Sequence, residues 1–237
     1  MKSITIGLVV PQSADKVPAE GGQMYPGVKF IPKGVGVRAL TPAGYDAAFD
    51  GIVPAAEELA KNNKLDAIMV IGTSLTFYRG YEAHEQLMER LRAIGLPVAT
   101  MSTAIVEGLR SLGAKKIAVS TAYADEVNGR LRAFLTASGF DVLALEGFGL
   151  ERFGAPGEKS EQDIIDLAGR VNAKAPGAQG MLISCGGLKT LQVGKTIEDK
   201  YGVPVVSSTP AAFWQAMRLV GETGSLSGFG RLFETVH

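Results

Sequence analysis

The chain has 237 residues, 46% of them hydrophobic and 20% charged, so it can bury a substantial core as one large domain or two small ones and is not a disordered segment. Its 24 basic and 24 acidic residues cancel to zero formal charge with no basic patch, which argues against a nucleic-acid partner. One cysteine excludes an intramolecular disulfide, no Cys/His cluster has metal-ligand spacing, and the apolar run 4–10 is too short for a signal peptide or a membrane span. The expectation is a monomeric, cytoplasmic protein with no metal and no membrane partner.

Short apolar runs alternate with longer segments of helical period, the pattern of mostly parallel sheets flanked by helices. In chain order the predicted strands are 4–10, 66–71, 97–100, 116–120, 142–145, 180–184 and 204–207. Helices are predicted to begin near Pro42, Tyr78, Thr103, Ala124, Glu161, Leu188 and Pro210. Thr41-Pro42 and Thr209-Pro210 each place a capping hydroxyl before a proline at the first helical position. Ser160, followed by Glu161 and Asp163, reads as another helix start, with acids near the positive end of the dipole. The stretch 11–40 holds glycines and prolines with little periodicity and is expected to form a lid or wall over the site.

The chain repeats itself. The run Ile68-Met69-Val70-Ile71-Gly72-Thr73-Ser74-Leu75 parallels Met181-Leu182-Ile183-Ser184-Cys185-Gly186-Gly187-Leu188, so Cys185 falls opposite Gly72. Gly95-Leu96-Pro97-Val98 likewise parallels Gly202-Val203-Pro204-Val205, and 116–120 followed by Tyr123 parallels 4–10 followed by Pro11. Two pseudo-symmetric α/β lobes are predicted, residues 1–102 plus 209–237 forming the first and 103–208 the second. Ligands of open α/β sheets sit at the carboxyl ends of the strands, so the active site is expected in the cleft between the lobes, with both turns facing it.

An enzyme that moved protons on both faces of a carbon would suit a thiol at each turn; this chain has a thiol at one turn and a hydrogen at the other, which points to chemistry on one face. A lone cysteine is most often a buried core residue. Cys185, however, ends a predicted strand before two glycines that let backbone approach a ligand. Thr73 and Ser74 read equally as a simple helix cap or as a carboxylate cradle, two compatible roles. Tyr123 reads as a packing aromatic or as a phenol facing the cleft. Gly194-Lys195-Thr196 lacks the earlier glycine of a P-loop, Gly34-Val35-Gly36 lacks the rest of a dinucleotide fingerprint, and His84, between Glu82 and Glu85, reads as a solvated helix residue.

The segments Gly72-Thr73-Ser74-Leu75, Met101-Ser102-Thr103-Ala104, Thr121-Ala122-Tyr123, Ser184-Cys185-Gly186-Gly187-Leu188 and Pro204-Val205-Val206-Ser207-Ser208, in that order, resemble the arylmalonate decarboxylase family. Tyr25-Pro26, Thr41-Pro42, Phe77-Tyr78-Arg79-Gly80 and Gly230-Arg231-Leu232-Phe233 extend the resemblance over nearly the whole chain. The wider relatives are racemases and isomerases that usually carry a cysteine in each lobe; the Gly72 and Cys185 pairing is that of the decarboxylase.

The resemblance implies cofactor-free decarboxylation of an α-aryl or α-alkenyl malonate, a small dicarboxylate, to the monocarboxylic acid. Cys185 would protonate an enediolate intermediate on one face. Thr73, Ser74 and Tyr123, with backbone amides at Ser74 and Gly186, would form a dioxyanion hole, and Gly72, Pro11, Val37, Leu40 and Leu75 would line the pocket. The segment 148–159 and Gln12, where the family pattern has proline, depart from the resemblance. Two alternatives stand beside this reading: a racemase or isomerase of a small carboxylic acid, and a non-catalytic small-acid binding protein.

Overall fold

The protein is described by a computed structural model covering residues 3–39 and 41–234. Two four-stranded sheets, each wholly parallel, follow one another along the chain. The first contains β1 (Thr5–Val10), β2 (Lys29–Gly34), β3 (Ala67–Val70) and β4 (Val98–Thr100) in the order β2-β1-β3-β4. The second contains β5 (Lys116–Tyr123), β6 (Asp141–Leu150), β7 (Gly180–Ser184) and β8 (Val205–Ser207) in the order β6-β5-β7-β8. The two central strands β3 and β7 are buried along their whole length, which is why they read as unbroken apolar runs rather than alternating ones.

Helices α1 (Ala19–Met24), α2 (Pro42–Phe49), α3 (Ile52–Asn62), α4 (Thr73–Phe77) and α5 (Tyr81–Arg92) belong to the segment of the first sheet. Then come α6 (Met101–Ser111), α7 (Asp125–Ala137), α8 (Glu161–Ala173), α9 (Val193–Tyr201) and α10 (Ser208–Leu219). One continuous apolar cluster joins the sheets: Ile105 and Leu109 of α6 and Phe213 and Trp214 of α10 belong to it together with residues of both sheets. Gly108 lets α6 approach β8 closely, since a β-carbon there would lie 3.2 Å from Val206 Cγ1. Among the described residues, no helix is long and apolar enough to cross a membrane, and no group of three or more His, Cys, Asp or Glu residues could hold a metal.

Several expectations are corrected. The stretch 11–40 does wall the cavity described below, through Pro11, Gln12, residues 16–20 and Val37, but it is more regular than its sequence suggests. It holds α1 and an edge strand, β2, whose Leu8↔Pro32 register puts a proline inside the ladder. Proline has no amide to donate, which an edge position tolerates. The helix expected to begin near Pro42 does begin there and is followed by a second after Asp50-Gly51; the one expected near Tyr78 is replaced by α4 and α5, separated by Gly80 at φ +92°. The helix expected at Leu188 begins at Val193, because the chain first turns back at Leu188 N, which donates to Cys185 O at 3.2 Å. Thr41 makes no side-chain cap bond, and Thr209 lies inside α10 instead of before it. Ser160 does cap α8, its Oγ accepting from Asp163 N at 3.1 Å while Asp163 Oδ2 accepts from Ser160 N at 3.0 Å. His84 is buried, not solvated: its Nε2 lies 2.9 Å from Thr100 Oγ1 and its ring packs edge-on against Phe134.

Candidate active site

Each sheet reverses its strand order between its two central strands, β1 and β3 in one and β5 and β7 in the other. At such switch points the flanking loops part and leave a crevice beyond the strand ends. The Val9↔Val70 register brings Pro11 beside Gly72, and the Thr121↔Ser184 register brings Ala122 opposite Cys185 and Tyr123 level with Gly186, its phenol close to the thiol. A cavity of about 360 Å³ lies between, lined from the first sheet by Pro11, Val37 and the turn Gly72 to Leu75 and from the second by Cys185, Gly186 and Gly187. Eight of the expected site residues therefore meet: Pro11, Val37, Gly72, Thr73, Ser74, Leu75, Cys185 and Gly186. Tyr123 stands behind this lining, and Leu40 lies outside the described residues.

Cys185 is the single non-glycine residue with positive φ among the described residues, at +146°, in the turn that matches Gly72 at +114°. A side chain in this region costs on the order of 1–3 kcal/mol and persists only where its surroundings hold it. Here Ser208 Oγ accepts from Cys185 N at 3.3 Å, and Thr209 Oγ1 donates to Gly186 O at 3.1 Å. Burial pushes the thiol up to about 11, opposed by the amides of Gly187 and Leu188 and by the Tyr123 phenol. The thiol is thus neutral over the ordinary pH range. Tyr123 is itself fully buried, which raises its pKa well above the usual phenol value, with its Oη 3.4 Å from Ser184 Oγ and its ring edge-on to Phe77.

Opposite the thiol, α4 begins at Thr73, and a helix's first amides have no intrahelical acceptor. They are joined by the hydroxyls of Thr73 and Ser74, both buried. Behind them runs a chain of buried hydroxyls. Thr73 Oγ1 donates to Ser208 Oγ at 2.8 Å, Ser208 Oγ donates to Ile183 O at 3.4 Å, and Ser102 Oγ donates to Thr73 O at 3.1 Å. Such a site offers hydrogen-bond donors at one side, one neutral acid at the other, and aliphatic wall between.

The expected site residues did not include the aromatic and loop residues of the lining. Tyr45 of α2 is buried, with its hydroxyl close to the Ser74 side chain yet without a well-formed hydrogen bond. Phe153 and Pro156 come from the loop after β6, and Pro156 packs so near Gly187 that a β-carbon there would lie 3.1 Å away. Gln12, Lys16 and Glu20 form a polar rim at the mouth, with Gln12 Nε2 tied to Lys16 O at 2.7 Å. By contrast, Gly194, Lys195 and Thr196 lie in α9, where Lys195 pairs with Asp199 at 2.7 Å, and Gly34 ends β2; neither segment reaches the cavity.

A family model described as arylmalonate decarboxylase matches residues 6–233. Arylmalonate decarboxylase from Bordetella bronchiseptica is 43% identical over 97% of this chain and 96% of its own length. Maleate isomerase from Nocardia farcinica is 30% identical over 96% of this chain and 94% of its own. Among solved structures, a liganded arylmalonate decarboxylase with one glycine changed to cysteine and one cysteine to serine matches at TM-score 0.95 and 41% identity. That match covers 98% of this chain and 99% of the other. The maleate isomerase of Pseudomonas putida S16 shares the fold at TM-score 0.91 and 18% identity, over the full length of both chains. By sequence over nearly its whole length, and by fold, the chain belongs to the arylmalonate decarboxylase family of carboxy-lyases.

Proposed function

We propose that the protein decarboxylates α-aryl or α-alkenyl malonates without a cofactor and protonates the product on one face through Cys185. The observation that carries this reading is one buried, neutral thiol on a strained turn, set across the cavity from a hydroxyl-bearing turn whose matching position is glycine. The retained carboxylate lies against the hydroxyls of Thr73 and Ser74 and the amides at Ser74 and Gly186, with the Tyr123 phenol supporting them from behind the thiol. The second carboxylate rests on the aliphatic side chains of Pro11, Val37 and Leu75. Its carbon–carbon bond breaks, carbon dioxide leaves, and the electron pair passes onto the α-carbon and into the retained carboxylate as an enediolate.

Donors fixed where that negative charge grows act without reorganisation, and each is worth roughly a hundred- to a thousandfold in rate. The thiol then gives its proton to the α-carbon and recovers one from water. A high thiol pKa suits this step, because the acid is present at neutral pH and no neighbouring base converts it to thiolate. With hydrogen in place of a side chain at Gly72, the other face has no matching acid, so one enantiomer dominates.

The maleate isomerase relative supports a second reading, in which the same cavity isomerises or racemises a small carboxylic acid. Carbon dioxide release from phenylmalonate and methylphenylmalonate separates the two. The purified protein is treated with a chelator and assayed with and without thiol alkylation. Release that survives the chelator and is lost on alkylation is expected. No release from either substrate, with deuterium washing into a chiral α-hydrogen acid in heavy water, overturns the decarboxylase reading in favour of the second.

A further inference from the structure

Ser208 opens α10 directly after β8 and is buried. Its hydroxyl is approached from both sheets: Thr73 Oγ1 donates to it at 2.8 Å from the turn after β3, and Cys185 N donates at 3.3 Å from the turn after β7. Met101, at the comparable start of α6, has no hydroxyl, and Ser102 parallels Thr209: each reaches only the turn of its own sheet, Ser102 Oγ donating to Thr73 O at 3.1 Å and Thr209 Oγ1 to Gly186 O at 3.1 Å. Ser208 therefore links the proton donor's backbone to the oxyanion turn in a way its counterpart does not.

A hydroxyl carries one hydrogen. In this arrangement that of Thr73 points at Ser208, whereas the function proposed above needs it on the enediolate oxygen. Ser208 meanwhile directs its own hydrogen to Ile183 O across a long 3.4 Å, although Thr73 Oγ1 is only 2.8 Å away.

We infer that Ser208 is a positioning residue whose hydrogen bond with Thr73 reverses when a carboxylate binds, so that Ser208 donates to Thr73 and Thr73 donates to the substrate. No heavy atom needs to move and no covalent bond changes. The reversal gives up one long hydrogen bond and keeps the short one. It yields a head-to-tail chain, Cys185 N–H to Ser208 to Thr73 to the carboxylate, in which each link polarises the next towards the growing negative charge. The turn that carries the acid is thereby drawn into stabilising the enediolate.

This inference rests on the reading of Thr73 as an oxyanion donor, and a double-mutant cycle tests the two separately. Thr73→Val, Ser208→Ala and the double variant are assayed for kcat and KM on phenylmalonate, with Ser208→Thr as the variant that keeps the hydroxyl. Thr73→Val is expected to lower kcat about a hundredfold, and Ser208→Ala about ten- to a hundredfold with KM changed less than about threefold. The double variant is expected within about threefold of Thr73→Val alone, and Ser208→Thr within about fivefold of wild type. If Thr73→Val leaves kcat unchanged, Thr73 is not an oxyanion donor and the role of Ser208 falls with it. If Thr73→Val is costly and the two losses multiply, the oxyanion reading stands and the inference about Ser208 alone is overturned.

Discussion

Replacing Cys185 by alanine removes one buried proton, and its effect on stability is a function of pH. Burial pushes the thiol from an ordinary 9.0 up to about 11 in the folded protein. The folded chain thus holds that proton more tightly than the unfolded chain does. Its contribution is fully present below pH 9 and is lost as the pH rises through 11. At about 1.4 kcal/mol per pH unit, the difference amounts to about 3 kcal/mol. The phenols of Tyr25, Tyr45 and Tyr123 are also raised by burial and occur in both proteins; Tyr25 cancels in the difference, while Tyr45 and Tyr123, which the Cys185 charge raises further, cancel only as long as both stay protonated in the folded protein. Urea unfolding of both proteins at steps from pH 7 to pH 11 measures that difference. Wild type is expected to lose about 2 kcal/mol relative to Cys185→Ala between pH 9 and pH 11, the rest falling outside that window. Parallel stability curves would refute the reasoning, because they would mean that the folded thiol titrates like an unfolded one.

On the proposed mechanism the same thiol sets the rate profile: decarboxylation should stay level past pH 9 and decline only towards pH 11, and a limb near 9 would contradict a buried acid. Cys185→Ala should keep the fold by circular dichroism while turnover drops by at least about a thousandfold, the full effect of losing a general acid. Gly72→Cys puts a β-carbon 3.2 Å from Leu75 Cβ at φ +114°, beside the precedent of Cys185 at +146°. It should cost about 1–3 kcal/mol of stability and gain α-proton exchange on a chiral product acid in heavy water. A folded, substrate-binding variant without exchange would mean that the two turns do not face one another. Tyr45→Phe removes a buried hydroxyl that has no well-formed partner, so thermal melting should show it equal to wild type or more stable by about 1 kcal/mol. Its kcat/KM should fall about tenfold if that phenol serves a bound carboxylate.

The central strands were legible because burial on both faces leaves only apolar residues, and 180–184 is recovered to the residue. Strand β2 was hidden by Lys29, Pro32 and Lys33, which an edge tolerates and a central strand would not. β5 and β6 run past their apolar stretches because Gly147 lies where a side chain would overlap the Tyr123 carbonyl, a fit visible only in three dimensions. The site residues on the two repeated turns were legible because the repeat itself aligns them. Tyr45, Phe153 and Pro156 come from segments outside that repeat, and Ser208 matters through contacts 135 residues away in sequence. His84 misled for the same reason: its flanking glutamates speak for solvent, while the face it turns inward meets Thr100 and Phe134.

Gly108 carries a consequence for how the active site can drift. Cys185 and the turn of Thr73 and Ser74 follow strands of different sheets, and Ser208, which bonds to both turns, comes two residues after Val206, the β8 residue that α6 meets at Gly108. A single methyl at Gly108 would press on Val206 and push β8 away from α6, shifting Ser208 against the two turns it bonds while every wall of the cavity keeps its chemistry.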